Sequence, residues 1–400
     1  MEQESRCSLQ DLIDSVRKQI LSENQNPDSE EVMKMIEYTV LNSNQDMSLK
    51  EAEELIWRIY AKTRSKLGIL ERYIKDDSVN EIMLNGKDNL FLETRCGMVR
   101  ERSLLESTEE LEEIIRNIAA GVHREINEMN PILDARLEDG SRVNAVYRNV
   151  AVGGPALTIR KFAKERITIR EMVDGKTLTA ECADYLALLV TCGYNIFISG
   201  GTSSGKTTFL NALSDFIPKN ERVIVIEDSA ELQLSRIDNL VQMECHNANT
   251  LGMGRVTMEM LIKTSLRMRP DRIIVGEVRG REVADMLQAM NTGHDGSMST
   301  GHGNSVTGML RRLEAMYLSG SQLPMDAIRA QIVEGIDIMV HLGRLENGKR
   351  KILEIQELVD FFDGKYILNP LFLMNDQRGL ESTGNQLKNF SKLRLRGESL

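Results

Sequence analysis

A short apolar strand, a glycine-rich loop and a helix follow one another directly over residues 196–213. The loop opens at Gly200, and four residues separate it from Gly205, which precedes Lys206 and Thr207. That is the spacing of a phosphate-binding P-loop, in which glycines let backbone N–H groups converge on phosphate oxygens beside a helix N-terminus. The segment therefore predicts a nucleotide site at the end of a strand in an α/β sheet.

The residue types of this loop also predict individual roles. Lys206 is expected to reach the β- and γ-phosphates, and the hydroxyl of Thr207 is expected to bind Mg²⁺, so the predicted cofactors are ATP and Mg. The competing interpretation is a glycine-rich turn with a fortuitous lysine, which the preceding strand and the following helix disfavour. The residues predicted to contact the nucleotide are Gly200, Gly201, Thr202, Ser203, Ser204, Gly205, Lys206, Thr207 and Thr208.

Length, charge and cysteine usage limit the classes of protein that remain. The chain has 400 residues, more than one ordinary core holds, so we expect two or three domains. A net charge of −10 disfavours a chain-wide nucleic-acid function, and five scattered cysteines disfavour a disulfide framework. No apolar run approaches the roughly 20 residues that cross a bilayer, and the N-terminus has no apolar signal core, which predicts a soluble cytoplasmic protein.

Changes in the hydrophobic pattern predict five regions along the chain. Residues 1–65 are expected to form a helical extension and residues 66–162 an α+β domain. Residues 163–179 are expected to be a linker or a first hinge helix. Residues 180–374 alternate strands with helices, which predicts a parallel sheet covered on both faces, with a late antiparallel addition near its end. Residues 375–400 are polar and are expected to be a frayed tail.

Three local signals predict where helices begin or end. Ser48, with Glu51 three residues later, predicts a capping box, and Ser107 is expected to cap another helix. Gly193 follows an amphipathic segment and is expected to end it in the left-handed conformation.

Carboxylates follow the second strand of the predicted sheet. Glu227, Asp228 and Glu231 come at its carboxyl end, where they would face the same crevice as the P-loop. One of these acids is expected to orient or deprotonate an attacking water, and Glu227 and Glu231 both remain candidates for that base. The plainer alternative is a solvated acidic turn.

The third strand ends at Glu277, in the position of a Walker B motif, but Gly276 replaces the usual aspartate. Glu277 is therefore expected to serve Mg²⁺, partly through water, because no other carboxylate ends that strand. The loop that follows contains His294 and His302, two of the five histidines of the chain. Their setting among glycines and hydroxyl residues leaves a structural and a catalytic interpretation open.

Four motifs in one order resemble those of a known family, the type II/type IV secretion ATPases. Further upstream, residues 132–145 and 157–162 are similar to its CpaF-type branch, the motors of tight-adherence (Flp) pili. The likeness runs from about residue 66 to residue 374. The segments that resemble the Walker A motif, the Asp box, the Walker B motif and the His box are Gly200–Thr208, Ile226–Leu234, Leu266–Gly280 and Thr292–Ser297.

The resemblance implies a fold and a set of site residues. It implies a RecA-like P-loop ATPase domain behind a PAS-like α+β domain, assembled as a homo-hexamer. Arg142 and Arg160 of the N-terminal domain would then reach the phosphates, where added cations stabilise the charge that shifts during transfer. Glu231 would polarise the attacking water. His302 would be a further catalytic residue with a sensing role, although the residues flanking it depart from the family pattern. Other arginines are expected in part at the neighbouring subunit: Arg267, Arg269, Arg272 and Arg279.

The same resemblance implies a function. We expect an ATP-hydrolysing motor for pilus assembly or protein secretion across the bacterial envelope. It would lie at the inner face of the cell membrane, held by a polytopic inner-membrane platform protein. One alternative is a ring translocase acting in DNA transfer, but the acidic charge disfavours it, so no stable nucleic-acid partner is expected. Another is a scaffold that binds ATP without turnover, which the intact set of Lys206, Thr207, Glu231 and Glu277 disfavours.

Overall fold

The chain divides into two compact units, Met1–Ala163 and Lys164–Leu400, seen in a computed structural model. Within the parts that the structure describes, no helix is both long enough and apolar enough to span a membrane. The described residues are 8–22, 27–43, 47–94, 97–162, 166–246, 253–345, 348–375 and 379–398.

The first unit begins with helices that pack on one another. In its described residues these are α1 (Leu9–Ser22), α2 (Ser29–Ser43) and α3 (Leu49–Thr63), and each buries one apolar face in a shared core. The capping box predicted at Ser48 is confirmed, because its hydroxyl accepts the N–H of Glu51 and the Glu51 side chain accepts the N–H of Ser48. The short helix α4 (Glu71–Lys75) then leads into a sheet.

An antiparallel sheet completes the first unit, with strand order β3-β2-β1-β6-β5-β4 in the described residues. Helix α5 (Thr108–Gly121) buries its apolar side in the core of this sheet, and Ser107 caps it as predicted. The sequence does not reveal β3, because every residue of that strand is exposed and no alternation marks it. The strands are β1 (Val79–Asn85), β2 (Asn89–Thr94), β3 (Gly97–Arg102), β4 (Ile132–Arg136), β5 (Arg142–Val146) and β6 (Ala156–Arg160).

The second unit contains a larger sheet with the described strand order β15-β14-β13-β12-β7-β11-β10-β8-β9. The strands from β12 to β9 in this order are parallel, and β13, β14 and β15 are antiparallel. The α/β class is confirmed, and so is the antiparallel addition predicted near the end of this region, because β13 and β14 pair antiparallel at one edge of the parallel strands. The strands are β7 (Ile196–Gly200), β8 (Arg222–Glu227), β9 (Asn239–Glu244), β10 (Arg272–Val278), β11 (Met298–His302), β12 (Ile338–Arg344), β13 (Arg350–Phe362), β14 (Lys365–Asn375) and β15 (Gly379–Ser382).

Helices cover both faces of this sheet. Along β8, Val223 and Val225 join one apolar cluster while Ile224 and Ile226 join the other, which is the alternation of a strand buried on both sides. The left-handed Gly193 ends α7, as predicted. The helices are α6 (Ile169–Asp174), α7 (Ala180–Cys192), α8 (Lys206–Leu213), α9 (Met258–Ser265), α10 (Val283–Met290), α11 (Val306–Gly320), α12 (Met325–Gly335) and α13 (Ser391–Arg396).

The prediction of a frayed polar tail is wrong for residues 379–398. Strand β15 extends the sheet, and helix α13 packs on α7. Leu387 and Leu393 are buried in the main core, and the ammonium group of Lys392 contacts the carboxylates of Asp295 and Asp337 at 2.8 and 2.7 Å. Composition misled the prediction because most of the few apolar residues of this segment face inward.

Candidate functional site

The P-loop connects β7 to α8 in the described structure. Gly205 has a φ of 95° and stands immediately before the first turn of α8. Gly200 lies so close to its neighbours that a Cβ atom there would be 2.6 Å from the carbonyl oxygen of Leu342. Glycine is required at these two positions for different reasons, backbone conformation at Gly205 and close approach at Gly200. The loop therefore has the local geometry that its sequence predicts.

Lys206 points back into this loop. Its ammonium group donates to the carbonyl oxygens of Gly201 and Gly200, at 3.0 and 3.3 Å, and lies 3.3 Å from Nδ1 of His302. The residue is only 7% exposed. Burial lowers the pKa of Lys206, while the charge of Glu277 acts in the opposite direction. A largely desolvated cation is thus held beside the backbone groups of the P-loop.

His302 lies between Lys206 and Glu277 because of the strand order. β11 pairs in parallel with β7 on one side, which sets His302 beside Gly200, and with β10 on the other. Nε2 of His302 is 2.8 Å from Oε1 of Glu277. Burial and then the charge of Lys206 lower the pKa of His302. A neutral ring with its proton on Nε2 therefore suits both contacts, an N–H toward the carboxylate and a lone pair toward the ammonium.

Arg279 extends this network to the Asp box. Its Nη2 is 3.0 Å from Oε2 of Glu277, and its Nη1 is 3.6 Å from Oδ2 of Asp228. Burial acts to raise the pKa of Glu277, but the hydrogen bond and charge of Arg279 outweigh it and hold that pKa below its ordinary value. Lys206, His302, Glu277, Arg279 and Asp228 thus form one chain of polar contacts that joins the P-loop to the end of β11, the Walker B motif and the Asp box.

The two glutamates of the Asp box have different surroundings. Glu227 is 4% exposed, and its carboxylate accepts the backbone N–H groups of Glu231 and Leu232 at 3.0 and 3.1 Å. Glu231 is half-buried, and its charge is among those that raise the pKa of Arg279. The carboxylate of Glu227 is therefore engaged with the backbone, whereas that of Glu231 lies close enough to the polar network to act on it.

The oxygen atoms of the site suit a nucleotide with Mg²⁺. Among the described residues, Oγ of Ser204 is buried without a hydrogen-bond partner, and the buried Oε1 of Glu277 has the close contact with His302 but no well-aligned hydrogen bond. Thr207 adds a half-buried hydroxyl at the first turn of α8. Mg²⁺ prefers oxygen ligands, retains several waters and often binds through one or two protein groups plus phosphates. The residues present thus fit the pair of cofactors predicted from the sequence.

Arg142 and Arg160 lie in the first unit. They are direct register partners on β5 and β6, and Arg136 pairs with Arg142 from β4, so three arginines stand in a row across three strands. Like charges placed directly opposite each other destabilise a sheet, which makes such a row costly unless an anion or a nearby acid offsets it. Glu81 of β1 faces Arg160 at one end of the row.

The arginines around the Walker B strand do not share one role. Arg272 is fully buried, and its guanidinium contacts the carboxylate of Glu221 and the carbonyl oxygen of Val190. The expectation that it could face a neighbouring subunit is therefore wrong, because both of its partners lie within the same unit. Arg267 and Arg269 are exposed.

His294 stays close to the helix that precedes it. Its Nδ1 lies 3.0 Å from the carbonyl oxygen of Ala289, near the C-terminus of α10. That contact matches the structural interpretation of this histidine.

Two further residues touch the P-loop region and were not predicted. Nε of Arg350, at the start of β13, donates to the carbonyl oxygen of Ser203 at 3.0 Å. His341, buried on β12, places Nδ1 2.7 Å from Oγ of Ser199, because those residues are register partners. Neither contact has a signal in the sequence, since each depends on which strands become neighbours.

Comparison with known proteins gives related sequences over most of the chain. The family model described as "Type II/IV secretion system protein" matches residues 63–345. An uncharacterised protein of Methanocaldococcus jannaschii is 44% identical over 58% of this chain, which spans only a third (33%) of that relative's length. A probable conjugal transfer protein TrbB of Sinorhizobium fredii is 34% identical over 77% of this chain and 92% of its own length. The type IV secretion system protein PtlH of Bordetella pertussis is 32% identical over 72% and 93%.

Solved structures agree on the fold. The ATPase DotB of Legionella pneumophila superimposes with a TM-score of 0.53 at 21% identity, covering 76% of this chain and 83% of that one. The pilus retraction motor PilT with bound ADP gives a TM-score of 0.51 at 19% identity, covering 82% and 86%. With a family model that matches well over half of its residues, the chain belongs to the type II/IV secretion system ATPase family.

Proposed function

We propose that this chain is a Mg-ATP-hydrolysing motor of a secretion or pilus machine in the bacterial envelope. One observation carries the proposal: the continuous polar network that joins Lys206 of the P-loop to His302, Glu277, Arg279 and Asp228. Such a network lets a change at the γ-phosphate reach the end of β11, the Walker B strand and the Asp box together. A P-loop that only bound nucleotide for stability would have no use for that connection.

The catalytic roles follow from the surroundings of each group. Lys206 binds the phosphates, and Thr207 and Glu277 would hold Mg²⁺, in part through water, where the ion neutralises phosphate charge. Glu231 positions and deprotonates the attacking water, because the carboxylate of Glu227 is occupied by backbone N–H groups. His302 contacts both Lys206 and Glu277 and so responds to the state of the phosphates.

The domain division and the nucleotide contacts of the first unit belong to the same proposal. Residues 180–374 form the RecA-like ATPase domain, to which residues 379–398 add a strand and a helix, residues 66–162 form the PAS-like domain, and residues 1–65 a helical extension. The boundary between the two compact units after residue 163 supports the separation of the ATPase domain from the regions before it. Arg142 and Arg160 reach the phosphates when the protein works as a homo-hexamer, and their pairing on neighbouring strands supports this role because it places two cations side by side.

The proposal extends to the machine that this motor serves. We propose a cytoplasmic ring held at the inner face of the cell membrane by a polytopic platform protein. The upstream motifs favour the CpaF-type motors of Flp pili. The name of one relative supports a second candidate, a ring translocase in conjugation-type transfer, because TrbB of Sinorhizobium fredii is described as a probable conjugal transfer protein.

Steady-state ATPase measurements with and without single-stranded DNA test the proposal. We expect Mg-dependent hydrolysis that DNA leaves unchanged, and we expect Lys206→Ala to abolish it and to weaken nucleotide binding. Lys219→Ala, at an exposed lysine in a turn of the same unit, is the matched control. Hydrolysis at the wild-type rate in folded Lys206→Ala would refute the site, and strong stimulation by DNA would favour the translocase.

A further inference from the structure

Glu227 is a buried acid that has no catalytic role in the proposed mechanism. It lies at the end of β8, and its Oε1 accepts two backbone N–H groups, from Glu231 and Leu232. Oε2 is 3.3 Å from the N–H of Leu232 as well. A carboxylate that bridges two successive N–H groups fixes the path of the chain there. The side chain of Glu227 thus fixes the backbone of Glu231, which lies four positions later in the chain.

The strand beside β8 makes room for that carboxylate. β10 runs parallel to β8 with Val275 opposite Ile226, so Gly276 lies next to Glu227. A Cβ atom at Gly276 would come within 2.8 Å of Cγ of Glu227, closer than real Cβ contacts occur. The φ of Gly276 is not in the left-handed region, so its backbone would accept alanine. Glycine is required here by the neighbouring side chain and not by the backbone conformation.

We propose that Gly276 and Glu227 form a matched pair that positions the catalytic Glu231. The glycine at the place of the usual Walker B aspartate leaves the space that the Glu227 side chain fills, and Glu227 then fixes the backbone from which Glu231 projects. Glu227 is accordingly a positioning residue and not the base. This inference rests on the proposed function, since it assumes that Glu231 acts on water at a Mg-ATP site.

Isosteric substitution separates positioning from proton transfer. Glu227→Gln keeps a carbonyl oxygen for the two N–H groups, so we expect kcat to stay above about a tenth of the wild-type value. Loss of a general base costs about 10²–10⁴-fold in rate, which is the loss expected for Glu231→Gln. Fluorescent-nucleotide binding to each variant checks that the P-loop is intact. If Glu227→Gln loses as much turnover as Glu231→Gln at unchanged affinity, Glu227 is the base and the inference is overturned.

A double-mutant cycle tests the pairing itself. Gly276→Ala forces Glu227 out of place, so we expect kcat to fall by at least about tenfold while the nucleotide Kd changes little. Glu227→Asp withdraws the side chain from Gly276, so adding it to Gly276→Ala should lower kcat less than the product of the two single effects. Gly121→Ala, where nothing lies near a new Cβ, controls for the substitution. Fully multiplicative effects in the cycle would refute the pairing. The proposed function itself would be refuted by different results. These are a wild-type protein that does not hydrolyse ATP, or a Lys206→Ala variant that hydrolyses it at the wild-type rate.

Discussion

Removing the side chain of Leu393 tests whether the C-terminal segment belongs to the fold. Leu393 is 1% exposed and packs in the same apolar cluster as Leu189 of α7, whereas Leu395 on the same helix is 83% exposed. Truncating a fully buried leucine to alanine costs about 2–5 kcal/mol, because apolar burial is lost and a cavity remains. Polar contacts also hold this segment, since the hydroxyl of Tyr194 donates to the carbonyl oxygen of Asn389 at 2.7 Å.

The expected change is large enough to measure by differential scanning calorimetry on the full chain. A loss of 1 kcal/mol lowers the Tm of a domain of 150–250 residues by about 2–4 °C, so we expect Leu393→Ala to lower the Tm of the second unit by roughly 4–20 °C. Leu395→Ala is the matched control and should stay within about 0.5 kcal/mol of wild type, as surface substitutions do. If both variants have the wild-type Tm, the segment contributes nothing to the stability of the fold and the argument from burial is refuted.

Three further predictions concern the site and its assembly. Glu277→Gln should lower turnover and raise the Mg²⁺ concentration needed for half-maximal ATPase activity; an unchanged Mg²⁺ titration would remove Glu277 from the metal site. Arg350→Ala should weaken nucleotide binding several-fold, because the carbonyl of Ser203 loses its donor, while the neighbouring Lys351→Ala should not; equal affinities by fluorescence titration would contradict this. Deleting residues 1–65 should largely spare ATPase activity and reduce recruitment to membranes carrying the platform protein; unchanged recruitment would move the docking surface elsewhere.

The parts of the fold that the sequence predicts are those governed by local rules. The P-loop follows from the spacing of Gly200, Gly205 and Lys206, and the helix caps at Ser48 and Ser107 follow from short-range hydrogen bonding. The buried strands stand out because they are continuously apolar and separated by helices. Each of these signals lies within a few residues of what it predicts.

The parts that the sequence does not predict depend on distant neighbours. The contact between Arg350 and the P-loop exists only because β13 folds back beside β12, which itself pairs with β7. Nothing in the sequence distinguishes Glu227 from the other acids of the Asp box. The difference arises because β10 places Gly276 against its side chain. Strand β3 is exposed throughout, so no periodicity marks it. Only pairing with β2 defines it as a strand.

Substituting Glu231 tests whether this site hydrolyses ATP with Glu231 as the base for the attacking water. Glu231→Gln keeps the size of the side chain but cannot accept the proton of the attacking water. We expect this variant to bind Mg-ATP within a few-fold of the wild-type Kd while its turnover falls about 10²–10⁴-fold, the usual contribution of a general base. Equilibrium binding of a fluorescent ATP analogue and single-turnover hydrolysis, measured on the same preparation, give both quantities. Hydrolysis at the wild-type rate by folded, nucleotide-bound Glu231→Gln would contradict the assignment of Glu231 as the base.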